Sequence, residues 1–192
     1  MVFIKAIIQN EQKEYFNGLI SSSVTTIRNP NGLDILPQYN VYNYDNMNRL
    51  REMITFQSDD VLSTNLWGNA SMHHNGTTTT DKTKSINFVE ISYDGNTNIT
   101  SLRRNDGNGD IQDQMTYNYN KNSNGDLIAN QLQSVDVSGV HNDAVGYRRS
   151  NRGYNGEMYK YNELGQITDD ENDGIEVKWN AKQKVESITR AD

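Results

Sequence analysis

One phrase recurs along this chain at a fixed register: an aromatic strand position, one residue, a ring, an Asp or Asn, then two aliphatics three residues apart. It runs Tyr42-Asn43-Tyr44-Asp45 to Leu50 and Met53, and again Ile91-Ser92-Tyr93-Asp94 to Ile99 and Leu102, where Ile91 replaces the first ring. Later copies run Tyr159-Lys160-Tyr161-Asn162 to Ile167, and Val177-Lys178-Trp179-Asn180 to Val185 and Ile188. In all four the first aliphatic stands six residues after the second ring. A supersecondary unit repeated at one register buries its apolar face only against its neighbours, so stacking of copies comes before any function.

Each unit reads as a β-hairpin. Residues two apart share a strand face, so Tyr42 and Tyr44 lie together and Asn43 opposes them. Asp and Asn bond their own backbone and tolerate positive φ, and Gly adopts it freely, so the stretch after the ring reverses the chain. A fifth copy begins at Tyr117-Asn118-Tyr119-Asn120 and keeps Leu132 and Val135, with residues 121–129 expected to lengthen its turn. Extra residues at a hairpin tip cost little, because loop-closure entropy grows logarithmically.

Composition narrows the architecture. Apolar residues are 34% of the chain and 27 of 192 residues are Asn, too few aliphatics to fill a thick core. The expectation is an all-β fold: antiparallel hairpin repeats in a curved or spiralling sheet with one apolar or aromatic face. Eleven Tyr against four Phe fit it, since Tyr packs its ring and hydrogen-bonds its hydroxyl. A net charge of −7 argues against nucleic acid and anionic membranes as partners. Arg148, Arg149 and Arg152 read as a solvated loop in preference to a phosphate site. Cysteine is absent, which removes disulfide and thiolate chemistry. Residues 2–8 read as a strand, too short for a membrane span and without the basic leader of a signal peptide.

Residues 1–38 read as N-terminal strands flanking the repeats, with a turn at Asn17-Gly18 and a break at residues 29–32. Residues 39–56 form the first full repeat, 57–87 an irregular insertion with one helical turn near residues 62–67, and 88–192 further hairpins interrupted by an irregular stretch at 136–156.

No catalytic set is legible, and no cofactor is expected. Asp169-Asp170-Glu171-Asn172-Asp173-Gly174 partly echoes a calcium loop, but Asn180 stands where the bidentate acid belongs, so a solvated hairpin turn is the better reading. Asp106-Gly107-Asn108-Gly109-Asp110 reads as a turn between repeats. His73-His74 is the sole hint of a metal-dependent hydrolase, and adjacent strand residues face opposite ways. The stripe of Tyr42, Tyr44, Tyr93, Tyr117, Tyr119, Tyr159, Tyr161 and Trp179 has two readings. As structure it forms cross-strand ladders; as function, rings beside amides are a carbohydrate-binding surface. Asp45, Leu50, Asp94, Ile99, Ile167 and Val185 complete the set of structural repeat positions.

The phrase Tyr42-Asn43-Tyr44-Asp45-Asn46-Met47-Asn48-Arg49-Leu50 resembles the YD repeat of the RHS family, and residues 92–102 and 175–180 are similar to RHS proteins of the Bacteroidetes type. The resemblance covers residues 39–56 and 88–190. It implies a β-ribbon coiled into a hollow shell that encloses a C-terminal toxin effector, or a cell-surface array, secreted or displayed as part of a larger protein. The Asp-Pro-x-Gly-Leu phrase that closes such shells is missing, no effector follows, and the repeats are too few to close a shell. The expected role is therefore a non-catalytic wall segment whose partners are the remainder of the shell and its effector. A glycan-binding module is the alternative.

Overall fold

The computed structural model describes residues 7–28, 35–58, 70–138 and 157–190, and those residues are nearly all β. Strands β1 (Ile7–Glu14), β2 (Ile20–Arg28), β3 (Ile35–Tyr44), β4 (Leu50–Ser58), β5 (Ala70–His74), β6 (Thr77–Thr79), β7 (Val89–Tyr93), β8 (Ile99–Asn105), β9 (Ile111–Lys121) and β10 (Leu127–Ser138) belong to one hydrogen-bonded set. Its order is β1-β2-β3-β4-β7-β8-β9-β10, with β5 added to β4 and β6 to β5. A second sheet orders β11 (Tyr159–Tyr161), β12 (Ile167–Asp170), β13 (Ile175–Trp179) and β14 (Val185–Arg190). Sequence neighbours pair antiparallel, as hairpin repeats require.

Among the described residues one turn is used seven times, at 15–19, 45–49, 94–98, 106–110, 122–126, 162–166 and 180–184. In each, the first N–H donates to the fifth carbonyl and the fourth N–H to the first carbonyl, at 2.7–3.2 Å. The fourth residue is left-handed: Gly18, Asn48, Thr97, Gly109, Gly125, Gly165 and Gln183 have φ between 60° and 94°. This is the three-residue hairpin loop, a type I turn followed by a left-handed residue. Asp or Asn opens six of the seven, and its Oδ1 accepts the N–H of both the third and fifth residues at 2.8–3.2 Å. That closure accounts for the six-residue spacing: Tyr44 lies directly opposite Leu50, Tyr161 opposite Ile167 and Trp179 opposite Val185.

The spacing of three between the aliphatics has a separate cause. In a regular strand residues i and i+3 face opposite ways. Four return strands, however, carry one extra residue just past the first aliphatic: Arg51, Gln133, Thr168 and Glu186 have no partner in the register. A bulge of this kind sets two residues against one and restores the face. Leu50 and Met53 therefore oppose Tyr44 and Tyr42, Leu132 and Val135 oppose Tyr119 and Tyr117, and Val185 and Ile188 oppose Trp179 and Val177.

Contacts divide the chain into two compact units, residues 1–91 with 102–112 and residues 92–101 with 113–192. In the first, Val24, Pro37, Tyr39, Ile86 and Phe88 are the buried apolar side chains among those described. In the second they are Met115, Val135 and Met158.

Three expectations are corrected. The insertion at 57–87, expected to be irregular, contains a hairpin: β5 and β6 pair about Asn75-Gly76, whose φ values of 49° and 74° mark a type I′ turn, and the Asn-Gly pair announces it. A 3-10 turn at Lys82–Lys84 follows, capped by Asp81, whose carboxylate accepts from Thr83 N at 3.0 Å and Thr83 Oγ1 at 2.7 Å. The fifth copy does not have a long tip. Its turn at 122–126 is the common one, Lys121 pairs with Leu127, and the surplus residues 128–131 swell β10 before Leu132 meets Tyr119. Residues 136–138 continue β10. The helical turn expected near 62–67 and the Arg148, Arg149, Arg152 loop lie outside the described residues.

Candidate functional site

In four of the five phrases the second ring hydrogen-bonds a carbonyl of the preceding hairpin. Tyr44 Oη donates to Ile20 O at 3.0 Å, Tyr119 Oη to Ile99 O at 3.0 Å, Tyr161 Oη to Leu132 O at 2.9 Å, and Trp179 Nε1 to Ile167 O at 2.7 Å. Ile20, Ile99 and Ile167 are the first residues of β2, β8 and β12. The ladder to the next strand ends at Ser22 opposite Val41 and at Asp169 opposite Glu176, short of Ile20 and Ile167. The ring satisfies the carbonyl that the ladder leaves over, and a buried carbonyl needs a donor.

These bonds link into a relay. Tyr119 faces Leu132, whose carbonyl takes Tyr161; Tyr161 faces Ile167, whose carbonyl takes Trp179; and Trp179 faces Val185. One side chain thus packs on its own hairpin and hydrogen-bonds the hairpin before it. Phe lacks the donor, which explains the preference for Tyr and Trp at this position. Burial raises the phenol pKa of Tyr44, Tyr119 and Tyr161 above its ordinary value. Tyr42 Oη bonds Ser23 Oγ at 3.1 Å, and Tyr117 Oη reaches Met115 Sδ at 3.9 Å. Tyr93 and Tyr159 are half-buried in β7 and β11, and Tyr159 stands opposite Asp170.

The expected ring-on-ring ladder is therefore replaced by ring-on-aliphatic pairs at these positions. Two aromatic residues, Tyr39 and Phe56, stand opposite each other in the register of β3 and β4, and the Tyr15 ring meets Tyr44 edge-on with centroids 6.2 Å apart and an 85° angle between planes.

At the turns, Asp45 does the most electrostatic work. The Arg49 backbone N–H, joined by the Arg49 side chain at 2.6 Å and the Met47 N–H, holds its carboxyl below the usual range. Asp94 opens its turn in the same geometry, with Asn98 Nδ2 2.9 Å from its Oδ2. Asp170, part of the calcium-like run, spends its Oδ1 on the N–H groups of Asn172 and Asp173 at 3.0 and 3.1 Å, and Asn172 is buried, not solvated. Asp106–Asp110 likewise closes the common turn between β8 and β9.

His74 Nε2 lies 3.2 Å from Asp110 Oδ1. Among the described residues no three His, Asp or Glu side chains converge as a metal site, and no helix is long and apolar enough to cross a membrane. In the second unit a polar cleft of about 310 Å³ is lined by Tyr159 and Tyr161 together with Asn120, Gln131, Gln133 and Glu157. Neither a family model nor a curated protein matches this chain.

Proposed function

We propose that this chain is a non-catalytic wall segment of an RHS/YD-repeat protein, part of a shell enclosing a toxin effector or of a cell-surface array. The observation that supports this reading is the ring-to-carbonyl junction, repeated at Ile20, Ile99, Leu132 and Ile167. A hairpin that satisfies its predecessor and offers the same acceptor to its successor adds copies without new chemistry, which suits a wall. The partners in this reading are the remaining shell and the effector within it.

Isolation of the native protein from its source cells tests the proposal. The expected result is a polypeptide with further YD hairpins around this segment, seen by electron microscopy as a hollow particle. A native species of this chain's own mass, with no further repeats, overturns it.

The cleft beside Tyr159 and Tyr161 favours a second reading as a glycan-binding module, since two rings and three amides line it. Under that reading tyrosine fluorescence responds to oligosaccharides, and Tyr159→Ala abolishes the response. No response across a glycan array removes it.

A further inference from the structure

We propose that Asn75, at the tip of the β5–β6 hairpin, is a self-modifying site: its side-chain amide passes through a cyclic imide to aspartate and isoaspartate, and His74 supplies the proton to the departing nitrogen. Four Asn-Gly pairs lie among the described residues, at 17–18, 75–76, 108–109 and 124–125. Glycine has no side chain to hinder attack by its own nitrogen, so all four share the same intrinsic chemistry. The fold treats them unequally.

In three pairs the glycine N–H is spent on closing the common turn: Gly18 N donates to Tyr15 O at 2.9 Å, Gly109 N to Asp106 O at 3.1 Å, and Gly125 N to Asn122 O at 3.0 Å. A nitrogen held in such a bond keeps its proton and points at a carbonyl. Asn75-Gly76 is instead a two-residue loop, closed by His74 opposite Thr77. Both loop residues are exposed, and among the described residues the Gly76 N–H has no acceptor. The neighbouring side chains add a proton donor. His74 Nε2 lies 3.3 Å from Asn75 Nδ2 and 3.2 Å from Asp110 Oδ1, and Asn75 N donates to Asn108 O at 2.7 Å, which holds the tip against the turn at 106–110. Gly109 packs so closely on the His74 ring that an added Cβ would stand 2.8 Å from its Cδ2. The imidazole is thus fixed between a carboxylate and the amide nitrogen that must leave.

In the step itself the Gly76 nitrogen gives its proton to solvent and bonds to Asn75 Cγ. The Cγ–Nδ2 bond breaks, and that nitrogen takes a proton from His74 Nε2 and departs as ammonia. Water then opens the imide at either carbonyl, and His74 recovers its proton from solvent. Nothing is oxidised or reduced. The product sets a second carboxylate beside the His74–Asp110 pair.

The test incubates the full chain at neutral pH and follows all four pairs by peptide mapping with mass spectrometry and isoaspartate detection, beside the same chain in urea. Unfolded, the four pairs should convert at similar rates. Folded, Asn75 should lead, with Asn17, Asn108 and Asn124 held back by their turns. His74→Gln should slow conversion at Asn75 by about a hundredfold, the low end for a positioned proton donor. Asp110→Asn removes the carboxylate that holds the imidazole and should slow it too, and low rates at the other three pairs certify that each variant is folded. Conversion led by another of the four pairs overturns the inference, as does an unchanged rate at Asn75 in a folded His74→Gln protein or, should that variant open, in Asp110→Asn.

Discussion

A single donor atom decides how hairpins join. Tyr161→Phe keeps the ring against Ile167 and removes the bond to Leu132 O, so a loss of about 1 kcal/mol is expected in urea denaturation; an unchanged midpoint would show the carbonyl to be satisfied otherwise. Backbone strain sits at Thr97, a β-branched residue held at φ 74° where four equivalent turns have Gly. Thr97→Gly should raise stability by roughly 0.5–1 kcal/mol, the relief of left-handed strain less the entropy of an added glycine. The reverse holds at Gly109, where φ is 94° and an added Cβ collides with the Lys84 carbonyl and the His74 ring, so Gly109→Ala should destabilise the first unit. The residue types of the phrase were legible in the sequence, but their bonds were not. Tyr at one position signals aromatic packing and hydroxyl bonding equally, and only the placement of Ile20 O near Tyr44 shows both at work.

The hairpin is the unit on which pH acts. Asp45 titrates below its ordinary value because folded N–H groups, Arg49's first, favour its carboxylate. A carboxyl depressed on folding contributes stability above its unfolded value of about 3.9, and the contribution disappears as pH falls through the lower folded value. Asp45→Asn keeps the Oδ1 acceptor, as Asn122, Asn162 and Asn180 do in their own turns, and should flatten the acid limb of the stability profile without opening the hairpin. An acid limb identical in both proteins would place the sensitivity elsewhere. At this scale the sequence also showed the turn and its register, since Asp or Asn at the first position and Gly at the fourth have local causes. It concealed the bulges at Arg51, Gln133, Thr168 and Glu186, because a two-against-one mismatch exists only between paired strands.

For the molecule as a whole, the phenol relay predicts alkaline lability. Burial lifts the folded pKa of Tyr44, Tyr119 and Tyr161, so the unfolded chain ionises first. Stability is complete below the unfolded phenol value of about 10 and declines as pH rises through the folded values. Circular dichroism and phenolate absorbance should change together above that pH, and the β12–β13 junction, held by the Trp179 indole N–H, should fail last. Loss of structure well before phenolate appears would contradict the relay. The sequence by itself determined the class and the unit: a low share of aliphatics, a ring-turn-aliphatic phrase at one register and turn-forming Asp and Asn admit an antiparallel hairpin array and little else, because each of these acts within a few residues. Tertiary structure alone decided which face survives the bulge, which carbonyl receives each ring, and how the insertion at 57–87 supplies Ile86 to a core. Those depend on groups brought together from distant parts of the chain, and local propensity carries no information about them.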